Sequence, residues 1–272
     1  MTGRELPPTS AFAGDDGSAD PGVAAALAAL RDGTGGLEGV VAALAGTRVL
    51  VPVLAELEVE GTVEVGGHAH TVDKEASAGI VALQAPDGRT ALPVFSSVAA
   101  MTAWRRAARP VPTDVVRAAL SAVSEGWELM VLDAGGPVTA LLPRPAVWAL
   151  AQQQPWRPAV SADGTTPVVD PEVRAAVRAA VQAVLPATVP APEAAGVGGW
   201  LRRRRAEPAQ PPSPLVDVDV EPGTRAEVAV VLTLVPGLDR GTLDAVLRRV
   251  GDALGADETV TQRVDAVEVR LR

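Results

Sequence analysis

Ile80-Val-Ala-Leu-Gln-Ala-Pro-Asp-Gly-Arg-Thr-Ala-Leu-Pro-Val-Phe95 decides the fold. Ile80–Ala85 and Arg89–Phe95 are short apolar runs on either side of Pro86-Asp87-Gly88. Asp-Gly supplies the positive φ of a tight turn, so the stretch predicts a β-hairpin. Ser97 follows as the N-cap of a short helix reaching Arg105. Thr113 predicts the cap of a second helix, with Val116, Ala119, Leu120 and Val123 as its apolar stripe before Gly126. Glu128–Asp133 and Val138–Leu142 read as two further strands joined through Ala134-Gly135-Gly136-Pro137, and a helix from about Arg144 to Gln153 closes the block. Short strands interleaved with helices predict an α+β fold, a mixed or antiparallel sheet with covering helices.

Residues 1–19 upstream are rich in Gly, Asp, Ser and Pro, the composition of a disordered N-terminus. Asp20-Pro21 then reads as N-cap and first helical position. Val23, Ala26, Leu27 and Leu30 follow at helical spacing, and Leu37, Val40, Val41 and Leu44 give a second short helix ending at Gly46. Val49–Leu54 is a buried-strand run in which Pro52 marks an edge or a bend. Thr62–Val65 and His68–Val72 flank Gly66-Gly67, a second hairpin signal.

Downstream, Asp170-Pro171 repeats the helix start, and Val173, Ala176, Val177, Ala180, Val181 and Val184 form one stripe until Pro186 stops it. Residues 186–214 hold seven prolines and read as a semi-extended linker. Val216–Val220, Ala226–Val235, a helix capped by Asp239 and a strand over Thr259–Leu271 then predict a small ββαβ unit. The helix would bury Leu243, Val246, Leu247, Val250 and Leu254. The expected organisation is therefore a disordered start over 1–19, an α+β domain over 20–185, a linker over 186–214 and a small α+β domain over 215–272.

Asp87-Gly-Arg-Thr-Ala-Leu-Pro-Val-Phe-Ser-Ser97, Trp104, Ala108-Arg-Pro-Val-Pro112, Glu125-Gly-Trp-Glu-Leu-Met-Val-Leu-Asp133 and Pro143-Arg-Pro145 resemble the N-terminal domain of the SseB, or enhanced serine sensitivity, family. The similarity spans roughly residues 37 to 160. Val235-Pro-Gly-Leu-Asp239 through Val264-Asp265 is similar to the C-terminal unit that accompanies that domain. The resemblance implies a bacterial, cytosolic protein and brings no catalytic residue with it.

Composition narrows the chemistry further. The 272 residues contain no cysteine, two histidines and a single lysine, Lys74. Thiolate metal sites, disulfides and cysteine nucleophiles are excluded. Lys74 sits in Asp-Lys-Glu, so a Walker A phosphate loop is excluded too. A net charge of −9 opposes general attraction to nucleic acid or anionic lipid. No apolar run reaches membrane-span length, and the first twenty residues do not read as a secretory signal, so the expected location is the cytoplasm. No catalytic residue and no cofactor is assigned.

Three places remain where function could sit. His68 and His70, at i and i+2 of a strand, share a face and with Asp73 make an alternative metal site, although solvent-facing polar alternation in an acid-flanked hairpin explains them without metal. Asp133, beside Ala-Gly-Gly, reads as a turn residue rather than a catalytic acid. Trp200 with Arg202, Arg203, Arg204 and Arg205 is a cluster for phosphate, an acidic protein patch or nucleic acid, or else a solvated charge run in a spacer. Gly196-Val-Gly-Gly199 lacks the preceding strand that a nucleotide loop needs. The expected function is a non-enzymatic binding or adaptor protein with a protein partner, reached through an exposed sheet edge or the arginine cluster. The alternatives are a metal-dependent enzyme at the His68/His70 hairpin and phosphate or nucleic-acid binding at Arg202–Arg205.

Overall fold

A computed structural model describes residues 12–54, 62–65, 68–71, 81–85, 87–163, 166–185 and 213–272. The chain divides into two compact units, Met1–Arg157 and Pro158–Arg272. Both combine helices with mixed or antiparallel sheets, the expected α+β class.

The first unit runs α1 (Pro21–Arg31), α2 (Leu37–Leu44), β1 (Arg48–Val53), β2 (Thr62–Val65), β3 (His68–Thr71), β4 (Leu83–Gln84), β5 (Thr90–Val94), α3 (Val98–Trp104), β6 (Arg109–Asp114), α4 (Val115–Ser124), β7 (Leu129–Leu132), β8 (Ala140–Leu142) and α5 (Arg144–Ala151). Asp20 caps α1 by accepting the Gly22 and Val23 N–H groups at 2.8 and 3.2 Å, and Ser97 caps α3 by accepting from Ala100 N at 3.1 Å. The central sheet has the order β4-β5-β7-β8, with β5 and β7 parallel and the other pairs antiparallel.

Both faces of that sheet are buried. Leu92, Val94, Met130 and Leu132 pack with α1, α2, α4 and α5, while Ala91, Leu129 and Val131 pack with Phe95 and Met101 on the side of α3. This period-2 division of two apolar clusters explains why β7 reads as an unbroken apolar run.

Two local readings differ from the structure. Residues Arg109–Asp114, expected as a connection ending in a Thr113 cap, form a strand paired antiparallel with β1, and Asp114 is the cap, accepting from Val116 N at 2.8 Å. The stripe of α4 is also rotated. Val115, Ala118, Ala119 and Ala122 face the sheet, Val116 and Val123 are half-buried, and Leu120 is 51% exposed. Small alanines let the helix approach the strands closely, so side-chain size rather than hydrophobicity selects the inner face.

The segment ahead of α1 differs as well. Where disorder was expected over residues 1–19, Phe12–Gly14 form a turn and Gly17 a bend. The Asp15 N–H donates to Phe12 O at 3.0 Å, and the Val98 N–H donates to Gly17 O at 2.9 Å.

The second unit runs β9 (Val160–Asp163), β10 (Thr166–Val169), α6 (Pro171–Val184), β11 (Leu215–Pro222), β12 (Val228–Leu234), α7 (Arg240–Ala256), α8 (Glu258–Arg263) and β13 (Val267–Leu271). Its sheet has the order β11-β12-β13, antiparallel then parallel, because α7 and α8 carry the chain back over one face. The helix expected to close the first domain belongs here. Val173, Val177 and Val181 of α6 share one core with Val218, Val230 and Val250. The valine stripe was plain in the sequence, but its partner surface lay beyond the proline-rich stretch. The strand expected from Thr259 is likewise shortened. Asp257 caps α8 through Val260 N at 2.9 Å and leaves only Val267–Leu271 extended.

Among the described residues, the outer face of this sheet carries no helix cluster. Ala229 and Val231 are buried there among Glu221, Glu268 and Arg270, which stand at neighbouring register positions. Glu268 accepts from Thr224 N at 2.7 Å and pairs with Arg270 at 2.5 Å, and Arg270 also reaches Glu221 at 3.7 Å. Arginine stems cover the apolar middle strand while their charged heads stay paired.

Candidate functional site

The first unit contains a groove of about 720 Å³ between the β1–β6 ribbon and α4. Val51, Val53, Leu92, Val111 and Trp127 give it an apolar lining, and Asp114, Arg117, Ser121 and Glu125 supply polar groups. Val111 is 44% exposed although it stands on a strand. Phe12 lines the same groove, so the segment ahead of α1 contributes an aromatic side chain to it.

Arg48, at the start of β1, holds that segment in place. Its guanidinium donates to both Asp15 carboxylate oxygens, Nε at 2.6 Å and Nη2 at 2.9 Å, and to the backbone carbonyls of Ser96 (2.6 Å) and Ser18. The fork geometry and partial burial make this pair stronger than an open surface ion pair. Hydrogen bonding from Arg48 holds the Asp15 carboxyl below the usual carboxylate range. Gly17 is required where it stands, since its φ is +77° and a Cβ there would lie 2.6 Å from Val98 Cγ2.

Ser96 links this latch to a second buried contact. Asp133, at the end of β7 with φ +53°, accepts from Ser96 N at 2.8 Å and Ser96 Oγ at 2.7 Å. Asp133 is 7% exposed, and burial pushes its carboxyl up while the Ser96 hydrogen bonds oppose the rise. The turn role expected from its sequence stands, with Gly136 N and Thr139 Oγ1 donating to Asp133 O at 3.0 Å. Its side chain adds something the sequence did not signal, a tie between the ends of the parallel strands β5 and β7.

The sequence-derived site residues are elsewhere. His68 and His70 lie on β3, paired in register with Val65 and Val63 of β2, so the hairpin pairing is as expected. Asp73 lies outside the described residues, as do Trp200, Arg202, Arg203, Arg204 and Arg205. Among the described residues, no group of three or more His, Asp or Glu side chains is placed to hold a metal ion. No described helix is long and apolar enough to cross a membrane.

Residues 23–149 match the family model described as the SseB protein N-terminal domain. Over that stretch, just under half of the chain, the protein is similar to the SseB N-terminal domain. No curated protein and no solved structure matches the chain. The matched SseB domain contains α1 through almost all of α5, hence every wall of the groove except Phe12. Phe12 and Asp15 fall ahead of it, while Arg48, Ser96 and Asp133 fall within it. Sequence reasoning missed the groove because it assigned no strand between the Ser97 and Thr113 helices, where β6, with Pro110 and Pro112, forms one wall.

Proposed function

We propose that the protein is a non-enzymatic binding protein of the bacterial cytosol whose SseB domain docks a polypeptide segment in the groove between β1–β6 and α4. The observation that carries this reading is Phe12. Phe12 lines the groove together with Val51, Val111 and Trp127, so a short segment of the chain itself already presents an aromatic side chain there. A guest segment would reproduce that arrangement, with an aromatic or branched apolar anchor on the apolar lining and backbone or polar groups toward Ser121 and Arg117. In this reading the second unit, Pro158–Arg272, is the companion C-terminal unit of the family.

Selection of random displayed peptides on the full chain tests the proposal. Enriched peptides should share an aromatic or aliphatic anchor. They should bind Val111→Glu about tenfold or more weakly, a change of about 1.4 kcal/mol. Leu120→Glu, also exposed but outside the groove lining, should bind them unchanged. Failure to enrich any sequence, or equal binding to Val111→Glu, would overturn the reading.

A further inference from the structure

We infer that the segment Phe12–Asp20 is an intramolecular gate on the groove, which a guest segment displaces from the place that Phe12 holds. This rests on the docking reading above and adds how the site is controlled.

The attachment of the segment is of a releasable kind. No residue of 12–19 belongs to either buried apolar cluster of the first unit. Its hydrogen bonds to the domain run from Arg48 to Asp15 and Ser18 and from Val98 N–H to Gly17 O, beside the Phe12 ring at the groove. Segments held by few buried apolar contacts open locally at far lower cost than the whole domain unfolds.

The contacts are also specific enough to set one register. The Phe12–Asp15 turn fixes the aromatic ring five residues ahead of Gly17, whose carbonyl is pinned to the start of α3. The latch and the groove share an element, because Arg48 begins the same strand that carries Val51 and Val53. A guest that must displace Phe12 from the groove wall therefore meets a domain in which only the released fraction is competent. Its apparent affinity is lowered by that fraction.

Two variants weaken the gate at different points. Asp15→Asn removes the charge that Arg48 grips, and Phe12→Ala leaves the latch intact but empties the aromatic's place. The probe is a synthetic peptide of residues 8–20, Pro-Thr-Ser-Ala-Phe-Ala-Gly-Asp-Asp-Gly-Ser-Ala-Asp, labelled for fluorescence anisotropy and added to the full chain. Both variants should bind it about tenfold or more tightly than the parent chain, consistent with a minor open state of roughly one in ten or less. A probe with alanine in place of its phenylalanine should bind neither.

Equal binding of the probe to parent and variants would overturn the gate and leave the groove a docking site. Binding to none of the three chains would overturn both the gate and the docking reading. Both substituted positions lie outside the buried clusters, and an unchanged tryptophan-monitored urea transition confirms that each variant is folded.

Discussion

Replacing Asp133 by alanine or by asparagine separates the hydrogen bonding of this residue from its charge. The carboxylate accepts Ser96 N–H and Ser96 O–H at 2.8 and 2.7 Å in a nearly closed environment. Alanine strands the N–H and forces the hydroxyl to find another acceptor; each buried donor without a partner costs about 1–3 kcal/mol. The left-handed backbone at φ +53° adds roughly 1 kcal/mol against alanine, because Asp and Asn tolerate it better. The expected loss is about 2–4 kcal/mol, a large share of a typical domain's 5–15 kcal/mol. Asparagine keeps an acceptor for the Ser96 N–H, supplies an amide that donates to Ser96 Oγ, and suits the backbone. It should cost less than about 1 kcal/mol.

Urea unfolding followed by tryptophan fluorescence reports chiefly on the first unit, because four of the five tryptophans, Trp104, Trp127, Trp148 and Trp156, lie in it. With a slope near 2 kcal/mol per molar urea, alanine should lower the midpoint by about 1–2 M and asparagine by less than about 0.5 M, at unchanged slope. The pH dependence supplies a second signature. Since the folded carboxyl titrates above its unfolded value of 3.8, the folded state binds this proton more tightly. The Asp133 contribution to stability therefore rises as pH falls through the window above 3.8, and asparagine removes that rise. Equal destabilisation by the two substitutions, or a shift under about 0.3 M for alanine, would refute the assignment of Asp133 as the tie between β5 and β7.

Glu268 should behave in the opposite sense. The Thr224 N–H, followed by Arg270 and Arg225, holds its carboxyl down at about 2, so its contribution is present above pH 4.5 and is lost as pH falls from 4.5 to 2. Amide exchange of β12 measured across that window should accelerate in the parent chain and lose this dependence in Glu268→Gln. Gly17→Ala, which meets both a positive φ and the Val98 side chain, should hasten proteolytic cleavage within residues 12–19 and leave the tryptophan-monitored midpoint within about 0.5 kcal/mol. Val177→Asp puts an unpaired carboxylate into the second core at a cost of several kcal/mol. It should speed exchange of β11 and β12 amides without moving the tryptophan transition, and the reverse pattern would return α6 to the first unit.

Local chemistry was legible in the sequence wherever one residue type has one physical job. Asp20, Ser97, Asp170 and Asp239 all cap the helices expected of them, each by accepting N–H groups of the first turn. The strands β5 and β7 follow from apolar runs bounded by Asp-Gly and Gly-Gly. What escaped depends on partners distant in the chain. The stripe of α6 shows that a helix buries one face but not against which sheet. The α4 stripe was misjudged by one position because alanine reads as a filler until a sheet is pressed against it. Arg48 gave no signal at all, since its partners Asp15 and Ser96 lie 33 and 48 residues away. The groove is legible only after those long-range pairings are known.

The prolines of β6 bear directly on how a partner reaches this domain. Leu50 spends its N–H and C=O on Phe95, both bonds 2.9 Å, so Leu50 and its opposite number Pro112 are a non-hydrogen-bonded pair. By the same alternation Pro52 faces Pro110, and Val49, Val51 and Val53 carry the ladder to Thr113, Val111 and Arg109. Pro110 and Pro112 therefore occupy the positions whose N–H groups would point away from β1. The free side of β6 offers carbonyls and no donors over that stretch, and among the described residues β6 pairs with β1 alone. A strand added there would form at most half of its ladder. The exposed-edge route expected from sequence is thus closed at β6 by Pro110 and Pro112. The same prolines leave Val111 on a strand face with no sheet neighbour beyond it, turned toward α4 and Trp127. Side-chain docking in the groove, rather than backbone pairing at the edge, is the mode of binding that this geometry favours.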